Sequence, residues 1–148
     1  MQLVAALPSR IPEIQKLVKA SLREQTSVAI DEDAVDQYVS RMVRDDHQLC
    51  VVVCVGGKSK GVVIGEVGSH PFASGLIAEE SFIYVKPSFR DTSALEELTE
   101  CYAFWCMRIP NLIVSTLGSS QLGTQTTVGL VAEREGYTAG TTYIREHS

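Results

Sequence analysis

Polar and apolar positions along this chain follow two rhythms, and each change of rhythm marks an element. Ile11, Ile14, Leu17, Val18 and Leu22 recur at helical spacing and predict one buried stripe. Ser9 stands where a cap is expected, with Pro12 in the first turn, and the polar run 23–27 is expected to loop out. A second stripe of Val35, Tyr38, Val39, Met42 and Val43 follows Asp31, whose carboxylate suits a helix cap, and an acidic first turn of Glu32 and Asp33. From Gln48 the period shortens. Residues 49–55 form an unbroken β-prone run, as in a strand covered on both faces, and Gly56-Gly57 signals a hairpin. Residues 61–67 return, 70–75 loop, and 76–85 make a further strand, which together predict an antiparallel meander.

Pro87 stops that strand, and a small polar turn leads to a third helix capped by Thr92 or Ser93. Leu95, Leu98, Tyr102 and Trp105 or Cys106 are expected to face inward, with Phe104 packed among them, and the helix should end near Ile109 because Pro110 follows. Residues 112–117 predict a fifth strand, parallel to the one before Pro87 because a crossover helix separates them. Val128, Val131 and Ala132 predict a last helix ended by Gly136, and residues 141–144 are expected to close the sheet. With a short opening strand at 2–7, the order is β-α-α-β-β-β-α-β-α-β. That is an α/β fold, a mixed sheet with helices on both faces. The 148 residues suit a single domain spanning 1–148.

Charge and cysteine usage narrow the setting. A net charge of -5 and a pI near 5.2 give no general field for nucleic acid or an anionic membrane surface. No window approaches the roughly 20 apolar residues of a membrane span, and the first residues lack the pattern of a secretory signal. The four cysteines fit a reduced, cytoplasmic setting. Cys50 and Cys54 share a strand face but lie ~13 Å apart, too far to bridge, and Cys101 and Cys106 diverge on a helix. No metal site is expected.

The chemistry concentrates where strand 76–85 runs through the turn into the third helix. The first N–H groups of a helix have no internal partner, so such a turn suits an anion, phosphate above all. Its sequence, Tyr84-Val85-Lys86-Pro87-Ser88-Phe89-Arg90, resembles the Y-V-x-P-x-[YF]-R stretch of the GNAT superfamily of acyl-CoA-dependent N-acetyltransferases. Glu133-Arg134-Glu135-Gly136-Tyr137 is similar to that family's late E-K-x-G-[FY] segment, and the likeness in element order covers nearly the whole chain.

The resemblance implies an acetyl-CoA site. Backbone groups of Ile83, Tyr84 and Val85 would pair with the pantetheine arm, opposite residues 112–117. Arg90, Asp91, Thr92, Ser93, Ala94 and Leu95 would cradle the pyrophosphate, as the family's Q/R-x-x-G-x-G/A loop does. Ser119 and Ser120 follow the fifth strand, as a plain loop or as lining of the arm's channel. Ser93 replaces the first glycine. Leu95 replaces the last small residue and either crowds the anion or turns into the core. Asp91 adds a negative charge, and Ala132 stands where active members often carry a tyrosine that protonates the departing thiolate.

A base is also required, and Glu79 and Glu80, adjacent on the strand and so on opposite faces, are the candidates, one of them facing the cleft. His70, in the loop leading to that strand, reads as an ordinary loop residue beside Pro71 or as a base or substrate contact, and Arg90 as a phosphate contact or an ion pair. Two functions of different class follow. One is an acetyltransferase acting on an amine of a small molecule, a polyamine, an antibiotic or a protein. The other is a catalytically silent binding or assembly component, for which the Arg90–Ala94 loop resembles phage-encoded relatives and the place would be a virion. A CoA-binding sensor is a third. A homodimer or an assembly partner fits the fold.

Overall fold

The unbroken apolar run at 49–55 becomes a strand with a separate core on each side. In the computed structural model, which describes residues 1–25, 27–118 and 125–138, Val52 and Val53 are both fully buried and point into opposite cores. Strands β1 (Gln2–Ala5), β2 (Leu49–Val55), β3 (Lys58–Ser69), β4 (Leu76–Val85) and β5 (Leu112–Thr116) lie in the order β1-β2-β3-β4-β5. All neighbours are antiparallel except β4 and β5, which are parallel. Helices α1 (Ile11–Gln25) and α2 (Glu32–Arg44) cover one face. Helices α3 (Ala94–Met107) and α4 (Gln125–Arg134) cover the other. The mixed α/β sandwich expected from the sequence is therefore present.

Local chemistry explains most boundaries. Asp31 caps α2, accepting a hydrogen bond from the Ala34 N–H at 3.0 Å. Gly56 and Gly57 both have positive φ, 57° and 75°, which gives the two-residue turn that right-twisted strands prefer. Because that turn is so tight, pairing resumes at once with Val55 opposite Lys58, so β3 begins three residues before the expected 61.

Other boundaries differ. Ser9 is not a cap: it lies inside a short 3-10 turn, Pro8–Arg10, that runs into α1. Residues 23–25, expected to loop out, continue α1, since Arg, Glu and Gln are good helix formers and nothing there breaks the turn. Strand β1 ends at Ala5 rather than Leu7, and β5 at Thr116 rather than Leu117. Phe104 is 52% exposed rather than packed, because it falls off the inward stripe of Leu98, Tyr102 and Cys106. The expected closing strand at 141–144 and the Ser119-Ser120 loop lie outside the described residues. Among those described, no helix is long and apolar enough to cross a membrane.

Candidate functional site

Strands β4 and β5 form a fork. Their ladder runs from Leu76 opposite Leu112 to Glu79 opposite Thr116 and stops there. Glu80 to Tyr84 continue with no β5 partner among the described residues. On its other side β4 carries a bulge: Gly65 pairs with Glu80 and Ile64 with Phe82, which leaves Ser81 as the extra residue. A bulge bends and twists its strand, so the divergence begins where the register shifts. The Lys86 N–H donates to the Lys60 carbonyl of β3 at 2.9 Å. By alternation, Ile83 and Val85 therefore turn their backbone groups away from β3; the Val85 carbonyl accepts from Arg90 Nε at 3.0 Å, and Ile83 faces the side where β5 has stopped.

The two adjacent carboxylates separate as strand alternation requires. Glu79 is exposed on the face that carries α1 and α2, opposite Glu66 of β3. Glu66 accepts hydrogen bonds from the Tyr38 hydroxyl at 3.0 Å and the Ser81 hydroxyl at 2.5 Å. Burial raises the Tyr38 phenol well above its usual range. Glu80 points to the α3 side, beside Gly65, whose own face meets Trp105 and Tyr102. Burial pushes the Glu80 carboxyl up to about 8, so it keeps its proton at neutral pH.

Below the fork on the α3 side, the Tyr102 hydroxyl donates to the Thr116 carbonyl at 2.7 Å. The Ser115 hydroxyl donates to the Tyr137 hydroxyl at 2.9 Å. Tyr137 is set in place by the end of α4. Gly136, at φ 84°, closes the helix as its N–H bonds Glu133 and the Tyr137 N–H reaches Ala132. The late Glu133–Tyr137 segment thus has a physical role, to terminate α4 and deliver a tyrosine to β5. Ala132 is half-buried on α4.

The turn at the upper end of the fork is partly closed on itself. Ser93 is the N-cap of α3 but makes no side-chain cap bond; the Thr92 hydroxyl before it accepts from the Ala94 N–H at 3.2 Å, and the Ser93 hydroxyl donates to Glu97 at 3.1 Å. The N–H groups of Asp91, Ser93, Leu95 and Glu96 have no acceptor among the described residues. Leu95 is 5% exposed and packs into the α3 core with Ala94 and Leu98, so its side chain leaves the turn uncovered. Of the two orientations open from sequence, the inward one is found.

Arg90 is engaged with α1. Its Nη2 pairs with Glu24 at 2.7 Å, its Nε donates to the Val85 carbonyl at 3.0 Å, and its guanidinium lies 5.6 Å from the Tyr84 ring centroid. The Tyr84 hydroxyl donates to the other Glu24 oxygen at 2.9 Å, and burial, with Glu24 adding, pushes this phenol up to about 12. Sequence reasoning missed Glu24, Glu66 and Ser81, and took Tyr38 only as a packing residue. His70 accepts from the Phe72 N–H at 3.1 Å within its own loop.

No protein-family model matches the sequence, and no curated protein does. Solved structures do match in fold. A possible acetyltransferase from Clostridium difficile 630 superposes with a TM-score of 0.74 at 14% identity, covering 99% of this chain and 97% of the other. The ribosomal-protein-alanine N-acetyltransferase from Brucella melitensis biovar Abortus 2308 gives 0.68 at 14% identity, covering 100% and 99%. AAC(6')-Iy in complex with the bisubstrate analog CoA-S-monomethyl-acetylneamine gives 0.66 at 14% identity, covering 99% and 97%. At such identity the likeness is one of fold: this chain has the mixed α/β fold of the GNAT acetyltransferases.

Proposed function

We propose that this chain is an acyl-CoA-dependent N-acetyltransferase that moves an acetyl group from acetyl-CoA to an amine. The observation that carries this reading is the fork, a parallel strand pair that stops at Glu79 and Thr116 beside a bulge and leads to a helix N-terminus with open amides. An extended arm suits the side of Ile83 that β5 leaves unpaired, and a diphosphate suits the N–H groups of Asp91, Ser93, Leu95 and Glu96. The inward Leu95 keeps that turn accessible. When bound, acetyl-CoA supplies the activated thioester.

The chain's own residues have separable tasks. Glu79, exposed beside the fork on the α1–α2 face, takes the proton that the amine gives up. Glu80 does not compete for that role, because it holds its own proton at neutral pH. Glu66, with Tyr38 and Ser81, makes the neighbouring wall polar and acidic, which suits a cationic amine before deprotonation. The test is release of free thiol from acetyl-CoA across a panel of amines. Glu79→Gln should lower kcat/KM by about 10²-fold or more at pH 7; an unchanged variant removes Glu79 from the mechanism.

A second reading, a binding or assembly component without transfer, is favoured by one observation. Asp91, Glu96 and Glu97 surround the turn with negative charge, and the two glutamates already complement the α3 dipole. Wild-type protein that binds no acetyl-CoA and releases no thiol would favour it.

A further inference from the structure

Glu24 belongs to neither sequence motif, yet it contacts both the strand and the turn of the proposed cofactor site. It lies on the last turn of α1, 66 residues from Arg90 in sequence. One carboxylate oxygen holds Arg90 Nη2 at 2.7 Å and the other accepts from Tyr84 at 2.9 Å. The pair is well shielded, with side-chain exposures of 26% for Arg90 and 29% for Glu24. The geometry also fixes where the rest of Arg90 goes. The peptide unit that sends the Lys86 N–H into β3 sends the Val85 carbonyl the opposite way, away from β3, where it accepts from Arg90 Nε at 3.0 Å. Arg90 therefore lies across the upper end of this edge, its guanidinium 5.6 Å from the Tyr84 ring centroid.

A guanidinium donates N–H groups to a phosphate and to a carboxylate alike, so a diphosphate at Arg90 competes with Glu24 for the Nη2 donor. Given the acyl-CoA reading above, on which this rests, we infer that Glu24 is a positioning residue that holds Arg90 across the cleft, and that its carboxylate competes with the donor's diphosphate for the Arg90 guanidinium. Cofactor occupancy and the end of α1 are thereby coupled, because a carboxylate that loses Arg90 keeps Tyr84 alone among the described residues. A donor lacking the diphosphate cannot make this exchange. The contact thus selects for the nucleotide half of the donor and sets its affinity below what the turn alone allows.

The test is calorimetric titration of the full chain with CoA and, separately, with pantetheine, which lacks the diphosphate. Glu24→Gln keeps the shape but removes the competing charge, and should bind CoA about tenfold more tightly with pantetheine affinity changed less than about twofold. The gain should vanish in the Glu24→Gln/Arg90→Ala double variant, which should match Arg90→Ala. Tyr84→Phe loosens Glu24 without touching its charge and should give a smaller gain in the same direction; it serves if Glu24→Gln does not fold. A purely structural role would change both ligands alike. Wild-type binding of CoA with no gain in Glu24→Gln and Tyr84→Phe, or an equal gain for pantetheine, overturns the inference and leaves the acyl-CoA reading standing. No CoA binding by any variant at millimolar ligand overturns both.

Discussion

Replacing Glu80 by Gln should stabilise the protein, and increasingly so as the pH rises. Glu80 lies on β4 opposite Gly65, on the face packed by Tyr102 and Trp105, and no hydrogen bond reaches its carboxyl among the described residues. Burial alone raises its pKa from the ordinary 4.5 to about 8. Between those values the folded protein keeps a proton that the unfolded chain has released. The native state therefore binds more protons, and stability falls as pH rises through that window. Below pH 4.5 both states are neutral there and no penalty exists. The span from 4.5 to about 8 is about 3.5 pH units. At about 1.36 kcal/mol per unit this caps the penalty at about 5 kcal/mol, and relaxation toward solvent brings the expected value to about 2–4 kcal/mol. Gln fills the same space without a charge. Urea unfolding at pH 5, 7 and 8.5, followed through the sole tryptophan, Trp105, measures the difference directly. The variant should match wild type near pH 5 and exceed it by about 2–4 kcal/mol at pH 8.5. A difference that does not change with pH, or a less stable variant at pH 8.5, would refute the assignment of Glu80 as a buried, protonated carboxyl.

Three further outcomes follow from packing and capping. Leu95→Ala should cost about 2–5 kcal/mol in denaturant unfolding, because the side chain is core, and should not improve CoA affinity. Asp31→Ala should lose about 0.5–2 kcal/mol by removing the α2 cap, with Asp31→Asn retaining most of it, as read by thermal unfolding. Tyr38→Phe should cost about 1 kcal/mol by removing one of the two hydroxyls on Glu66, and should raise KM for a cationic amine less than Glu79→Gln lowers kcat.

Much of the architecture was legible because it depends on local pattern. The doubly buried Val52 and Val53, the Gly56-Gly57 turn and the Asp31 cap each follow from a few neighbouring residues. The parallel placement of β5 follows from a crossover rule. What escaped depends on distance or on a choice the pattern leaves open. Nothing in Glu80-Ser81-Phe82 announces a bulge, since its cause is the register with β3. Alternation places Glu79 and Glu80 on opposite faces, but which face holds which carboxylate depends on where β4 meets the helices. Leu95 reads as an obstacle in a motif and as core in the fold, because α3 begins one residue before it and turns it inward. The Glu24–Arg90 contact joins residues 66 apart and carries no periodic signal. Ser9 was misread because Pro8 begins a 3-10 turn that supplies the entry to α1 without a side-chain cap.

The most direct test of the central claim is calorimetric titration of the wild-type chain with acetyl-CoA. The fork between β4 and β5 and the open amides at the start of α3 predict saturable binding of one acetyl-CoA per chain with a Kd below about 1 mM. Absence of binding at millimolar acetyl-CoA would contradict the account and leave this fold without the ligand its cleft is proposed to hold.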